Sequence, residues 1–344
     1  MTRKVFVKDV PIGGGSPIAI QSMTITVPSD VKGTIDQIER LKAAGCHIVR
    51  IAVPDLEEAK FVGEIIRRTD MPIVADIHFD YRIAIECIKS GIHKIRFNPG
   101  NIGSRKNVEY LVKCAKEHGV PIRVGVNSGS IEKEFADRPF TAAQKLCESA
   151  LKHVRLLEEF SFYDTVISVK SSSVITTIEA YEYISKLADY PLHVGVTEAG
   201  PYEFAIVKSA IGIGALLAKG IGDTIRVSIT GDPVREVKAA QNILKALGKM
   251  PHPEIVSCPS CGRCNYDLEG FVGKVQKILE GVDKDIKVAI MGCVVNGPGE
   301  AKDADIGIAG GSGRAAIFKK GRVVKSVSQK QALDEFIKEL KTLL

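Results

Sequence analysis

Residues 108–127, VEYLVKCAKEHGVPIRVGVN, contain one complete helix-to-strand unit of the chain. Apolar side chains from Val108 to Ala115 recur at i, i+3, i+4 and i+7, which is one helical face, and Gly119 follows as a residue that ends a helix. The apolar run at 121–127 has the length and composition of a buried strand. Helices alternating with buried strands indicate an α/β fold built on a parallel sheet.

The same unit recurs along the first 250 residues. The apolar runs predicted as strands are 18–23, 47–52, 72–77, 94–98, 121–127, 164–170, 193–197 and 224–228. Eight strand–helix pairs over about 250 residues are typical of a (β/α)8 barrel, the TIM barrel. An open, doubly wound sheet shows the same alternation, so periodicity alone leaves that architecture open.

The alternation stops at the Met-Pro-His-Pro sequence of residues 250–253, which is typical of a linker. We therefore predict two domains, a substrate-binding barrel at 1–250 and a smaller α/β domain at 251–344. In the smaller domain, two predicted strands are joined through a helix, and a right-handed crossover would make them parallel. Cys258 and Cys293 follow these strands, so their loops should meet at one edge of the sheet.

Composition and charge exclude several classes of protein. The 344 residues are 45% apolar and 26% charged, without the bias of disordered, collagen-like or coiled-coil chains. No apolar run reaches the roughly 18 residues of a membrane span, and the N-terminus lacks the apolar core of a signal peptide. The 47 basic and 41 acidic residues are spread evenly. We expect a cytoplasmic protein without a nucleic-acid or membrane partner.

Polar and cationic residues stand at the carboxyl ends of the predicted strands, where barrel enzymes carry their reacting groups. They are Arg50, His78, Arg96, Asn98, Arg123, Asn127, Lys170, Thr197, Glu198, Arg226 and Ser228. Five of them are cations that would repel one another in one cavity, and arginine forks match phosphate oxygens. The pattern predicts a phosphorylated small molecule, best a diphosphate, as the substrate. Glu198 is a candidate proton donor or, alternatively, a salt-bridge partner of Arg226.

Four cysteines cluster in the smaller domain. Cys258, Cys261 and Cys264 form a tight run, and Cys293 follows about thirty residues later. In a chain without an export signal, this spacing indicates metal or iron–sulfur ligation before it indicates disulfides. Two ligand sets fit this spacing: all four thiolates, or three thiolates with an oxygen ligand such as Glu300. A structural zinc site is the alternative to an iron–sulfur cluster. Cys46, Cys87, Cys114 and Cys147 are scattered and should be buried small side chains.

Several motifs in order resemble the hydroxymethylbutenyl diphosphate synthase family, iron–sulfur enzymes of the non-mevalonate isoprenoid pathway. They are IQSMT at 20–24, ADIHF at 75–79, KIRFNPGN at 94–101, RVGVN at 123–127, GVTEAG at 195–200, SCPSC at 257–261 and CVVNGPGE at 293–300. The resemblance covers nearly the whole chain, in the two-domain bacterial form. It implies a TIM barrel followed by a smaller α/β iron–sulfur domain.

The resemblance also implies a site and a reaction. A 4Fe–4S cluster would be held by Cys258, Cys261, Cys293 and Glu300, which leaves Cys264 outside the set. The reaction would be the reductive opening of 2-C-methyl-D-erythritol 2,4-cyclodiphosphate, with two electrons from ferredoxin or flavodoxin. Asn296 would lie beside the cluster and the substrate. Family members are head-to-tail homodimers, in which the cluster domain of one subunit covers the barrel mouth of the other.

Two other functions fit the residues less well. One is a zinc-stapled barrel transferase, similar to a pterin synthase, that acts on a phosphorylated substrate without redox chemistry. The other is a zinc-ribbon module that binds RNA, which the even distribution of charge disfavours.

Overall fold

The computed structural model describes residues 1–78, 80–97, 104–264, 266–293, 301–311 and 313–344. The chain divides into two compact units, Met1–Lys249 and Met250–Leu344. Among the described residues, no helix is both long enough and apolar enough to cross a membrane.

The first unit is a parallel barrel preceded by a two-stranded hairpin. The hairpin strands are β1 (Val5–Val7) and β2 (Val10–Ile12), and the barrel strands are β3 (Ala19–Met23), β4 (Ile48–Ala52), β5 (Ile73–Asp76), β6 (Lys94–Phe97), β7 (Ile122–Asn127), β8 (Thr165–Lys170), β9 (His193–Val194) and β10 (Thr224–Ile225). Their spatial order is β8-β7-β6-β5-β4-β3-β10-β9. A parallel bridge between Ile167 and Leu192 links β8 to the residue before β9. The predicted TIM barrel is therefore confirmed, and the doubly wound alternative is wrong because the sheet curls back on itself.

Helices connect successive strands of the barrel. They are α1 (Val31–Ala43), α2 (Leu56–Ala59), α3 (Val62–Arg67), α4 (Tyr81–Lys89), α5 (Arg105–His118), α6 (Lys133–Ala136), α7 (Ala142–Glu159), α8 (Val174–Ile184), α9 (Tyr202–Ala218) and α10 (Val234–Ala246). In α5 the Ser104 side chain accepts a hydrogen bond from the Asn107 backbone N–H, and Gly119 ends the helix at a φ of 63°. The predicted face of α5, including Val108 and Leu111, is buried.

Two barrel strands are shorter than the sequence predicts. β9 ends at Val194 and β10 at Ile225, whereas the apolar runs continue to 197 and 228. At Gly195 the backbone comes so close to the Arg226 carbonyl that a β-carbon would lie 2.4 Å from its oxygen. This close approach interrupts the regular ladder where both segments enter the mouth of the barrel.

The described residues of the second unit form a five-stranded sheet with two α-helices. Its elements are β11 (Pro253–Ser257), α11 (Leu268–Leu279), β12 (Ile286–Met291), β13 (Ile306–Gly310), β14 (Arg314–Lys319), β15 (Arg322–Ser328) and α12 (Ala332–Lys341). β11, β12 and β13 are parallel, and β14 and β15 continue the sheet antiparallel. The predicted parallel pairing of β11 with β12 is confirmed. The two cysteine loops therefore leave the same edge of this sheet.

The core of the second unit leaves no space at Gly307 on β13. A β-carbon there would lie 2.2 Å from Cζ of Phe318, whose ring is buried among alanines and Met291. We expect Gly307→Ala to lower the free energy of unfolding by about 1–3 kcal/mol in urea denaturation of the full chain. Gly273→Ala in α11 is the control, because the new β-carbon meets nothing within 4 Å. This substitution should raise the free energy of unfolding by about 0.5–1 kcal/mol. Equal stability of Gly307→Ala and the wild type would contradict this description of the core.

Candidate active site

One cavity lies at the carboxyl ends of the barrel strands and has a volume of about 180 Å³. The residues that line it are Arg50, Asp76, His78, Arg96, Arg123, Asn127, Ser168, Lys170, Thr197, Arg226 and Ser228. The structure thus brings all five predicted cations to one place, together with the predicted histidine, asparagine and serine. Asp76 and Ser168 also line the cavity and are not among the predicted strand-end residues. Both lie on the inward face of their strands, and Ser168 stands two residues before Lys170, the spacing that reveals it.

Strand pairing fixes three of these residues at one level of the barrel. Asp76 on β5 is the register partner of Arg96 on β6, and Arg96 is the partner of Arg123 on β7. All three side chains are more than nine-tenths buried. The register therefore places a carboxylate and two guanidinium groups side by side before any ligand arrives.

Asp76 is the carboxylate at the centre of the cation cluster. Its Oδ1 accepts a hydrogen bond from Nη1 of Arg96 at 2.9 Å, and its Oδ2 lies 3.7 Å from Nε of Arg50. Nε2 of His78 lies 3.8 Å from the same Oδ2. Burial acts to raise the pKa of Asp76, but the charge of Arg50 and the hydrogen bond with His78 outweigh it and hold this pKa well below its usual value. Asp76 is therefore ionised and orients the groups around it.

Glu236 on α10 orients Arg226 in the same way. Its Oε2 and Oε1 accept hydrogen bonds from Nε and Nη2 of Arg226, each at 3.1 Å. The carboxylate also accepts from the Ser22 hydroxyl at 2.8 Å and from the Ile229 backbone N–H at 3.1 Å. Glu236 is 3% exposed and well supplied with donors, so it holds Arg226 in one orientation.

Positive charge still exceeds negative charge around the cavity. Five cations face Asp76 and Glu236, which leaves an excess of three when Lys170 is protonated. Burial lowers the pKa of Arg50 to about 10, and it lowers the pKa of Lys170 well below the usual value with help from the charge of Arg123. A bound polyanion would relieve this excess, so the cavity has the electrostatics of an anion site.

A second polar layer lies deeper in the barrel. Lys94 stands two residues before Arg96 on β6 and is fully buried. Its Nζ, the side-chain amide of Gln21 and Nε2 of His193 make no hydrogen bond within the described part of the chain. Burial, followed by the charge of Arg123, lowers the pKa of Lys94 well below its usual value. The interior is therefore a polar column rather than a purely apolar core.

Glu198 is not among the residues that line the cavity. It follows Thr197, which does line it, and its side chain is exposed. Its backbone φ of 52° is left-handed, an uncommon conformation for a residue other than glycine. In the described part of the chain, Arg226 pairs with Glu236 and forms no salt bridge with Glu198. The role of Glu198 as a proton donor stays a prediction.

The thiols of the second unit gather near Gly292. Sγ of Cys258 accepts a hydrogen bond from the Gly292 backbone N–H at 3.1 Å. The Cys264 thiol also lies close to Gly292, since a β-carbon there would be 2.9 Å from its sulfur, and it donates to the Tyr266 carbonyl at 3.3 Å. Cys293 is half-buried and Cys261 is exposed. Backbone N–H groups such as that of Gly292 stabilise sulfur in its thiolate form, which is the form that binds iron.

The predicted ligand set is only partly described. Glu300 and Asn296 lie outside the described residues, as does Asn98 of the barrel. Within the described residues, no three His, Cys, Asp or Glu side chains are placed to hold a metal ion. The hydrogen bond from the Arg263 backbone lowers the pKa of Cys261, which favours its ligating thiolate form. The scattered cysteines of the barrel are buried, as predicted.

Taken together, the two units define a TIM-barrel enzyme class with an anion site in the barrel and clustered thiols in an α/β domain. The chain belongs to the GcpE family. Residues 2–241 match the GcpE TIM-barrel domain, and residues 254–342 match the GcpE protein C-terminal domain.

Relatives of high identity carry one name. The 4-hydroxy-3-methylbut-2-en-1-yl diphosphate synthase (flavodoxin) of Clostridium acetobutylicum is 54% identical over 341 residues, which cover 98% of this chain and 98% of the relative. The protein of that name from Caldanaerobacter subterraneus subsp. tengcongensis is 52% identical, over 100% of this chain and 98% of the relative. That of Geobacillus kaustophilus is 50% identical, over 99% of this chain and 92% of the relative.

Solved structures of another enzyme share the fold. Dihydropteroate synthase from Stenotrophomonas maltophilia aligns with a TM-score of 0.53 at 15% identity, covering 73% of this chain and 100% of that one. The Yersinia pestis enzyme aligns at 0.52 and 12% identity, covering 72% and 99%. At these identities the likeness concerns the fold alone. The predicted alternative of a zinc-stapled, pterin synthase-like transferase is not supported, since the full-length relatives are diphosphate synthases.

Because the amino group of Lys94 is buried, we expect the free energy of unfolding to depend on pH. Because its pKa is lowered on folding, the unfolded chain binds more protons below the ordinary value of 10.5, and wild-type stability falls as the pH drops from there toward the folded pKa. The slope is at most about 1.4 kcal/mol per pH unit. Lys94→Met should therefore gain stability over the wild type, and gain more at about pH 7.5 than at about pH 9.5.

Urea denaturation at the two pH values measures this difference. Lys113→Met, on the exposed face of α5, controls for the loss of a lysine. A pH-independent difference, or a variant less stable than the wild type at both values, would show that Lys94 is stabilised by interactions beyond the described residues.

Proposed function

We propose that this chain catalyses the reductive opening of 2-C-methyl-D-erythritol 2,4-cyclodiphosphate to 4-hydroxy-3-methylbut-2-enyl diphosphate, as part of isoprenoid biosynthesis. The observation that carries the proposal is the convergence of five cations on one barrel cavity, in a chain about half identical over its full length to synthases of that product. A substrate with two phosphate groups supplies the negative charge that this cavity lacks.

The barrel residues bind and orient the substrate. Arg96 and Arg50 are held by Asp76, and Arg226 is held by Glu236, so their guanidinium groups are aligned before the diphosphate enters. Little reorganisation is then needed on binding, which is the usual source of electrostatic preorganisation. Asn127 and Ser228 add neutral hydrogen-bonding groups at the same cavity.

The cysteine loops of the second unit fit an iron–sulfur group. Cys258, Cys261 and Cys293 would hold a 4Fe–4S cluster with Glu300 as the fourth ligand, and thiolates with one carboxylate suit iron. When bound, such a cluster supplies electrons one at a time. The names of the relatives favour flavodoxin over ferredoxin as the electron donor to this chain. Asn296 would lie beside substrate and cluster.

Glu198 is the proposed proton donor. In the reaction two electrons enter, the ring C–O bond and the C3–O bond break, a C–C double bond forms, and the C3 hydroxyl leaves as water after taking one proton. Glu198 directly follows Thr197, which lines the cavity, and in this proposal its carboxyl delivers that proton. Its exposed position in the described chain fits a group that acts when the site is covered.

The proposed active form is a head-to-tail homodimer, in which the cluster domain of one subunit covers the barrel mouth of its partner. The proposal rests on the exposed side chain of the cavity residue His78, which leaves this side of the cavity open to water unless another element covers it.

Anaerobic reconstitution tests the function directly. The brown protein should contain about four irons per chain and convert the cyclodiphosphate to the linear diphosphate with a low-potential reductant. A colourless protein with one zinc per chain and no turnover would refute the proposal.

The two classes of cysteine should respond differently to substitution. Cys264→Ser should keep iron content and turnover near those of the wild type, because a serine hydroxyl can also donate to the Tyr266 carbonyl. Cys293→Ser should lose both, because a proposed ligand is removed. Iron analysis and visible spectra measure the outcome, and loss of iron in Cys264→Ser would place that thiol in the ligand set.

Removing the proposed proton donor should separate chemistry from cluster binding. We expect Glu198→Gln to retain its iron while kcat falls by about 10²–10⁴-fold, the usual contribution of a general acid. Glu203→Gln, on the first turn of the neighbouring helix α9, is the matched control. Full activity of Glu198→Gln would remove Glu198 from this role.

Mixed dimers test the shared site. A dimer of one Glu198→Gln subunit and one Cys293→Ser subunit contains, in the head-to-tail arrangement, one site with both defects and one intact site. Turnover near half that of the wild type per dimer supports the shared site. Turnover no higher than the two parent variants means that each subunit works with its own cluster.

A further inference from the structure

The second unit carries a groove beside its cysteine loop. The groove has a volume of about 670 Å³ and lies between the first turns of α11 and the segment that leads into α12. Tyr266 and Phe271 line one side, with their rings 5.8 Å apart in an edge-to-face contact. Ser328 and Leu333 line the other side. The groove lies entirely within residues 266–333 and is separate from the barrel cavity.

Tyr266 connects the groove to the thiols. Its backbone carbonyl accepts the Cys264 thiol at 3.3 Å. Its hydroxyl donates to the Met291 carbonyl at 2.9 Å, two residues before Cys293. Cys258, Cys264 and Tyr266 pack against the same core cluster. A partner seated in the groove would therefore be one side chain away from the cysteine loops.

The charges of the groove favour an acidic partner. Lys274 and Lys330 line it, both are exposed, and neither is ion-paired within the described part of the chain. The acidic lining residue, Asp267, already accepts the Gly270 backbone N–H at 2.9 Å as the cap of α11. The nearby carboxylates of Glu335 and Glu339 already form ion pairs with Lys325 and Lys319, respectively. Lys274 and Lys330 remain available.

We propose that this groove is the docking site of the electron donor, an acidic flavodoxin that brings its flavin edge against Tyr266. This inference rests on the proposed function, which requires electrons to reach the cysteine loops. Electron-transfer complexes are small and short-lived, and complementary charges around a modest contact set their association rate. A groove lined by a tyrosine next to the thiols, and by two lysines that form no ion pair in the described chain, meets these requirements.

Reversal of the two charges tests the docking site. In Lys274→Glu/Lys330→Glu we expect kcat/KM for reduced flavodoxin to fall about tenfold or more at low ionic strength, with a smaller effect at high salt. Iron content and visible spectrum should match the wild type. Lys284→Glu/Lys341→Glu makes the same change of net charge away from the groove, after the end of α11 and at the last residue of α12, and should leave kcat/KM unchanged.

A small chemical donor separates the two proposals. With dithionite-reduced methyl viologen, the wild type and both double variants should turn over at equal rates, because a dye does not need the groove. Absence of wild-type turnover with this dye would refute the proposed function itself. The docking site is refuted if the groove variant keeps its flavodoxin kcat/KM and salt dependence. The docking site is also refuted if the rates of the groove variant with dye and with flavodoxin fall equally. Sedimentation of the groove variant that shows the groove joining two copies of the chain would refute it as well.

Discussion

The ionised carboxylate of Asp76 is the interaction on which the barrel mouth depends. Without it, Arg50, Arg96 and Arg123 would be buried as neighbouring cations with no counter-charge, and each would carry a desolvation penalty of several kcal/mol. Strand register places Asp76 opposite Arg96, so the compensation is part of the sheet itself and does not depend on a flexible loop. Glu236 extends the same arrangement to Arg226 from outside the barrel. The two carboxylates hold the cations in place but leave enough positive charge to bind an anion.

Separation of tasks between the two units follows from their chemistry. An anion site needs buried positive charge, whereas iron ligation needs several thiolates held close together. The barrel carries the cations at its strand ends, and the second unit carries the thiols at the edge of a small sheet. Each sheet is parallel where it carries its functional loops, because parallel strands deliver their carboxyl ends to one edge.

Much of the fold and of the cation cluster could be predicted from the sequence. The features that could not be predicted depend on contacts between residues distant in the chain. Strand positions and the cations at their ends follow from apolar runs and from period-two alternation, which are local. The counter-charges are not local: Asp76, the last residue of β5, meets Arg96 only through the pairing of β5 with β6, and Glu236 lies on a helix ten residues beyond Arg226. The shortening of β9 depends on the close approach of Gly195 to another strand. The thiol that packs beside Cys258 is Cys264, a proximity that spacing could not distinguish from that of Cys261.

The polar column inside the barrel also bears on how long the molecule survives. The folded state holds excess positive charge and interior polar groups that make no hydrogen bond among the described residues. Any ligand that binds only the native state adds RT ln(1 + [L]/Kd) to its stability. Protein turnover in cells follows the population of open molecules. A ligand that fills the cavity would therefore lower the population of open molecules as well as occupy the site.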